Sequence, residues 1–533
     1  MATHPGKRRS RRHGTDIVRG YARGAALTQV AATPTSAVGA TARGGAANVV
    51  GAGLSAVLNL VIVLAVTRSL SKPDAGFVFT ATAIYVLIET LSNAGTGVGL
   101  VHFISSDLAR GERHRIPQVV WASLVPVAAI SLVGAALTVA VSPVLLRALG
   151  TAAINRHADT AMVIVAIGIP IGALYDALTA ATRGLGSARP TVLVEKIGRP
   201  LLQGIGVFIA AASGASSVVL VVAWVAPYAI AAPVMAVWFV RMMRSAGVPL
   251  YSAQWPQSLR PVWSFTAPRA LTGVFQVLLQ RLDILLVGGI LGASAAAVYT
   301  GATRFVVVGQ LGNQAVSYAF QPQLARLVAT QRLEEARELF RVSAAWIVGL
   351  CGPLYMAVCV TAPWLVQLLG AKYQAGVWTM VVVTGTMFVG NACGLVDVVL
   401  VTLGRTSLNM LNVAVALVLN VSIDVVLIPH IGIIGAAIGW AVAILVNNVL
   451  PVIQVHRSNG FTPFSRLWLQ ALISIGLLFG VLPGIFLLIF GSKSVLVIPA
   501  LVVATGIYLV IVWRRREVLN LGRIRPVTAT ASA

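Results

Sequence analysis

Charge is what this 533-residue chain has least of: Asp, Glu, Lys and Arg make up 10% of it, against about 25% in an ordinary soluble domain. Acids are the scarcer kind, 15 against 39 basic residues, and only 5 of those bases are lysines. A soluble chain of this length could not bury a 58% hydrophobic content in its interior. The three cysteines, Cys351, Cys359 and Cys393, all fall in apolar stretches, so no disulfide framework and no metal site is implied. The seven histidines lack ligand spacing, and no G-x-x-x-x-G-K-[ST] loop offers a nucleotide site. No cofactor is expected. Polar stretches between the apolar blocks are short, which leaves no place for an external catalytic domain.

What the chain has instead is apolar blocks of about 20 residues, the length that crosses a hydrocarbon layer of roughly 30 Å. Lipid cannot hydrogen-bond a backbone, so such blocks must be helices. Fourteen candidate spans run from Ala46–Thr67 to Val495–Trp513. The fold expected is an all-α polytopic membrane protein with two six-helix lobes, residues 45–243 and 263–456, around a central cavity. A cytoplasmic linker, 244–262, joins the lobes, and two further helices follow within 466–513. Residues 1–44 read as a disordered basic cytoplasmic tail and 514–533 as a second one. The fifth span, Gly198–Ala212, opens on a crowd of charge at Glu195, Lys196 and Arg199.

Positive charge gives the orientation. With both termini in the cytoplasm, 30 of the 39 Lys and Arg residues fall inside and 6 outside, leaving Arg269, Arg281 and Arg304 within or near the membrane. A multi-pass protein of the cell inner (plasma) membrane is expected. The same distribution accounts for the net charge of +24 without a nucleic-acid partner, and the tail arginines are suited to anionic membrane lipids.

The chain also repeats itself. "LSKPDAGFVFTATA" after the first span has a counterpart in "LGASAAAVYTGATR" after the seventh, and "LSNAG" and "DLAR" are echoed by "LGNQA" and "QLAR". Both pairs run in the same direction, as two parallel lobes related by an axis along the membrane normal would require.

Three stretches carry a family resemblance: "TRSLSKPDAGFVFTA" (Thr67–Ala81), "QRLDILLVGGILGASAAAVYTGATRF" (Gln280–Phe305) and "LNVSIDVVLIPHIGIIGAAIGWAVA" (Leu419–Ala443). Together they resemble the polysaccharide and lipid-linked oligosaccharide flippases of the multidrug/oligosaccharidyl-lipid/polysaccharide exporter superfamily. That resemblance implies a V-shaped cavity between the lobes and a polyprenyl-diphosphate-linked oligosaccharide, a cell-surface polysaccharide precursor, moved from the inner to the outer leaflet. It also places helices 13 and 14 beside the C-terminal lobe, bordering a lipid groove. Polysaccharide polymerases or glycosyltransferases are the implied protein partners. The alternatives are a cation-coupled multidrug efflux antiporter and a membrane enzyme of polysaccharide assembly.

Candidate site residues come from helical spacing, because ionisable groups within a membrane are costly and usually functional or paired. Arg269, Gln276, Gln280 and Asp283 fall within about 60° of one another on the seventh span, a single polar stripe. Arg281 points about 100° away from it. The eighth span carries Gln310 and Gln314 with Arg304 beside them. These arginines and glutamines are the candidate ligands of an anionic headgroup, since the guanidinium fork matches phosphate oxygens. Arg269 is equally readable as snorkelling to the interface. Glu89, Asp283 and Asp424 are candidates for coupling or charge balance, with Asp283 read as the neutraliser of a nearby arginine and Asn420 and Asp424 as interhelical hydrogen-bonding groups.

Overall fold

The computed structural model describes residues 34–149, 157–490 and 497–514, except for the side chains of 34–50, 268, 269 and 308. Of the expected tails, 1–44 and 514–533, residues 1–33 and 515–533 lie outside the described residues. In the first half the helices are α1 (Pro34–Ser69), α2 (Lys72–Asn93), α3 (Thr96–Arg110), α4 (Ile116–Ala148), α5 (Ala158–Gly184), α6 (Arg199–Ala212) and α7 (Ser217–Ser245). The second half holds α8 (Leu259–Leu291), α9 (Ala293–Thr303), α10 (Val307–Ala329), α11 (Leu333–Val360), α12 (Ala362–Leu369), α13 (Val377–Ala392), α14 (Val396–Thr402), α15 (Thr406–Ile431) and α16 (Ile433–Asn459). Last come α17 (Arg466–Ile475), α18 (Leu482–Phe490) and α19 (Val497–Arg514). Among the described residues there is no strand.

Twelve helical stretches among the described residues are long and apolar enough to cross a membrane. Two of the fourteen expected spans are not among them, although both are helical. One is α6, which opens on Arg199 and is extended backwards by a wide π-turn run over Thr191–Gly198 that carries the Glu195 and Lys196 charges. The other is α9 with α10, which a short 3-10 turn at Arg304–Val306 joins and which is diluted by Gln310, Asn313 and Gln314. α1 begins at Pro34, well before the expected Ala46.

The outer faces are those of a protein built for hydrocarbon. Leu132, Leu137, Ile230, Val502 and Leu488 stand more than half exposed, Leu488 at 86%. A soluble monomer rarely tolerates contiguous apolar surface of that kind. Lipid requires it. The chain is an all-α, multi-pass membrane protein.

Local sequence sets where helices stop. Ser71 caps α2, its Oγ accepting from the Asp74 N–H at 3.3 Å, and Pro73 sits in the first turn, where a missing N–H does no harm. α2 ends at Ala94, whose φ of 40° is left-handed, and α3 restarts after Gly95. One continuous apolar stretch, Lys72–Arg110, is thereby two helices.

α8 is shared between the halves. It packs on α15 of its own half and on α2, α3 and α4 of the other. Trp263 Nε1 donates to Ala122 O at 3.0 Å, and His102 stacks on Phe265 with ring centres 4.4 Å apart. At the opposite end of the bundle the halves meet closely. Arg68 Nε donates to Leu368 O at 2.7 Å, and Lys372 Nζ donates back to Leu70 O. Ala293 N donates to Leu149 O at 3.2 Å. Gly76 is required there, since a Cβ would lie 1.7 Å from Ala293 O. A buried apolar cluster runs through this junction, from Val66 and Phe77 to Val298, Leu369 and Tyr373.

Candidate functional site

Arg281 lies ten residues before the end of α8 and Arg304 eleven after the start of α9, so both sit about 15 Å below the closed end at 1.5 Å per residue. They line one cavity together with Asn59, Thr82 and Trp224 from the first half. Each is half-buried. Neither makes a salt bridge among the described residues. Two arginines without counter-ions at this depth are expensive unless an anion visits them.

Asp283 does not neutralise them. The expected stripe divides: Gln276 and Gln280 are exposed, as is Gln314, with Gln310 half-buried, while Asp283 turns into the packing of the second half at 2% exposure. There Tyr299 Oη donates to Asp283 Oδ2 at 2.7 Å. Asn420, with its amide nitrogen toward Asp283, donates to Oδ1 at 2.9 Å and accepts from the Trp440 N–H at 3.1 Å. Asp424, fully buried, lies beside Asp283 in the same packing. Among the described residues Asp283 makes no ion pair with Arg281 or Arg304, its hydrogen-bond partners being Tyr299 and Asn420. The side chain of Arg269 lies outside the described residues.

Glu89 anchors a second acidic pair, in the first half. It is 7% exposed. Asn93 Nδ2 donates to its Oε1 at 2.5 Å, and Asp176 of α5 stands beside it. Beside it, Arg199 Nη1 donates to Tyr228 Oη at 2.9 Å and to Gln203 Oε1 at 3.0 Å, and its guanidinium lies 4.7 Å from the Tyr228 ring centre. Neither Asp176 nor Arg199 is among the site residues to which helical spacing points. Asp176 carried the usable signal, an acid in the middle of an apolar span. Arg199 was counted with the cytoplasmic charge because Glu195 and Lys196 stand next to it. Trp224 and Asn59 gave no signal, being ordinary residues in apolar helices until the fold turns them to the cavity.

A second, apolar groove lies between the core and the last helices, lined by Trp346, Gly349, Leu350, Leu467, Ala471 and Tyr508. Tyr508 Oη donates to Gly349 O at 2.7 Å and Trp468 Nε1 to Ala392 O at 2.8 Å, fastening α19 and α17 to α11 and α13.

The fold is shared with solved transporters. The chain is similar to the lipid II flippase MurJ in an inward closed conformation, with a TM-score of 0.69 at 12% identity over 88% of this chain and 99% of that one. It is also similar to an inward-facing multidrug resistance MATE family transporter of the MOP superfamily, with a TM-score of 0.60 at 16% identity over 79% of this chain and 95% of the other. In sequence it is 20% identical over 232 residues to a probable low-salt glycan biosynthesis flippase, Agl15, of Haloferax volcanii. That match covers 42% of this chain, which spans about half the length (48%) of the curated relative. A family model described as polysaccharide biosynthesis protein matches residues 63–378, more than half of the chain and the part that holds the arginine pair, and the chain belongs to that family.

Proposed function

We propose that the protein is a flippase that carries a polyprenyl-diphosphate-linked oligosaccharide from the inner to the outer leaflet by alternating access. The observation that carries this reading is the pair of half-buried arginines, Arg281 and Arg304, facing one cavity with no acidic partner among the described residues. A diphosphate supplies the missing charge, and the guanidinium fork suits its oxygens. The similarity to Agl15, a probable low-salt glycan biosynthesis flippase, and to the lipid II flippase MurJ supports it. The largely apolar groove under α17 and α19 is a candidate seat for the polyprenyl tail. Gln276, Gln280, Gln310 and Gln314 are further candidates for hydroxyl contacts, and Arg269 for headgroup contact.

Both termini face the cytoplasm of a plasma membrane in this reading, which puts the closed end outside. Moving about two negative charges outward is downhill in a negative-inside cell by roughly 2.3 kcal/mol per charge per 100 mV. No nucleotide hydrolysis or other enzymatic step is needed. The glycosyltransferases and polymerases that make and use the lipid are its natural partners. A drug antiporter that binds cations is the poorer fit, because the unpaired charge in the cavity has the wrong sign.

Flipping and binding of a polyprenyl-diphosphate sugar in liposomes test the reading. Each Arg→Ala change at 281 or 304 removes charge-assisted hydrogen bonds worth roughly 1.5–3 kcal/mol, so binding weakens by about ten- to a hundredfold. Lysine rescues only in part. Wild-type activity in the double Arg281→Ala, Arg304→Ala variant would overturn the proposal.

A further inference from the structure

The arginines occupy one wall of their cavity, and the facing wall holds an aromatic ring that the diphosphate does not use. We infer that Trp224 is a stacking platform for the sugar next to the diphosphate, with Asn59 accepting from a sugar hydroxyl. This rests on the lipid-linked sugar reading above and names the residues that read the sugar itself.

Trp224 lines the same cavity as Arg281 and Arg304. It lies seven residues into α7, about 10 Å from that end of the bundle, against about 15 Å for the arginines. The offset is of the order of one sugar ring displaced from its phosphate. The indole is held in place before any ligand arrives. Tyr85 meets it edge-on with ring centres 5.2 Å apart at 84°, and Tyr228 props it at 6.0 Å. Its carbonyl accepts from Gln203 Nε2 at 2.8 Å, and Gln203, 4% exposed, is itself held by Arg199. A ring fixed in this way loses little conformational freedom on binding.

The polar groups beside it are equally selective. Asn59 uses its amide nitrogen on Ser55 O at 2.8 Å, which leaves the Oδ1 acceptor for a ligand. Thr82 spends its hydroxyl on Phe79 O at 3.0 Å. The remaining first-half wall is apolar, aliphatic from Ile62 and Val63 to Leu220 except for Phe79, which has no polar atom to offer a ligand. Aromatic faces also attract organic cations, but two uncompensated arginines in the same cavity repel them. A hydrocarbon tail would need neither the amide nor the indole N–H. A sugar ring presents an apolar C–H face to the indole and hydroxyls at its rim, and it is the ligand chemistry that uses all of these groups at once.

The test compares two probes on purified protein in liposomes: a polyprenyl diphosphate, and the same lipid carrying one N-acetylhexosamine. The wild type is expected to bind the glycosylated lipid more tightly. Trp224→Leu should weaken that lipid by about three- to tenfold and leave the bare diphosphate lipid unchanged. Trp224→Phe should keep most of the difference, and Asn59→Leu should lose part of it. Equal weakening of both probes in Trp224→Leu, or no weakening of either, overturns the inference while the flippase reading stands. A wild type that binds neither lipid sinks both.

Discussion

Asp283 and Asp424 stay together because α16 leaves room for them at one position. A Cβ on Gly439 would sit 2.0 Å from Asp424 Oδ1 and 3.2 Å from Asn420 O, so neither the carboxylate nor the α15 backbone can yield without disturbing the contact to Asp283. Gly439→Ala is expected to destabilise the protein by about 1–3 kcal/mol through overpacking, seen as a lower Tm in detergent. An unchanged Tm would mean the acid pair is free to move. The pair in the first half permits a sharper separation of roles. Glu89→Gln keeps a donor and an acceptor toward Asp176 and Asn93, so flipping should stay near wild type if the contact is structural. Glu89→Leu strips both partners and should reduce stability by about 1–3 kcal/mol. Loss of transport in a well-folded Glu89→Gln protein would assign the pair to proton coupling. Residues such as these show the limit of reading from spacing. Asp283 was found correctly as an intramembrane acid, but its partner could not be found, because Tyr299 and Asn420 reach it from other helices. Helical spacing fixes direction around one axis and says nothing of what stands opposite.

Helices were the most legible elements, and the reason is the solvent. A backbone in hydrocarbon has no other way to satisfy its hydrogen bonds, so length and hydropathy mark α4, α5, α7, α11, α15 and α16 without help from packing. The elements that departed from this pattern are those that carry charge or polar groups inward. In α6 and the run before it, Glu195 pairs with Lys196 at 2.7 Å and with Arg183 at 3.5 Å, and Arg199 turns to Tyr228. That pairing lets a charged stretch stay helical where composition suggested a loop edge. The turn between α9 and α10 brings Arg304 to the cavity. α17 to α19 were visible as spans, but their seat on α11 was not, since it depends on Tyr508 and Trp468 reaching particular carbonyls. The groove they enclose yields an element-level prediction. Ala471→Trp fills it and should displace about two methylene groups of a bound tail, roughly 1.6 kcal/mol at 0.8 kcal/mol each. Binding of a full-length polyprenyl-diphosphate sugar should then weaken by about tenfold, with a short-chain analogue unaffected. Equal weakening of both lipids would show that the groove does not hold the tail.

At the scale of the whole molecule, the two halves are latched at one end by contacts that the sequence placed at loop edges and could not pair. Arg68 and Lys372 each reach across to a carbonyl at the end of a helix in the other half, Leu368 and Leu70, where the helix dipole favours a positive charge. The contacts are reciprocal, and single charges of this kind contribute about 0.3–1 kcal/mol when exposed, so the latch is weak enough to open in a transport cycle. Gly76 sets the closeness: with a Cβ 1.7 Å from Ala293 O, no other residue fits the closed arrangement. Gly76→Ala should therefore disfavour this closed end while leaving each half intact. A cysteine at Thr82, which lines the cavity, reports the change once the three native cysteines are replaced. In right-side-out vesicles, an impermeant thiol reagent should label Thr82→Cys faster when Gly76→Ala is present, and faster still with Arg68→Ala added. A covalent link between cysteines at Ser69 and Leu368, made with a short cleavable reagent, should abolish labelling and flipping together, and cleavage should restore both. Labelling from the opposite side of the membrane would reverse the proposed orientation. Flipping that continues in fully linked protein would show that this end does not open, and alternating access through it would have to be abandoned.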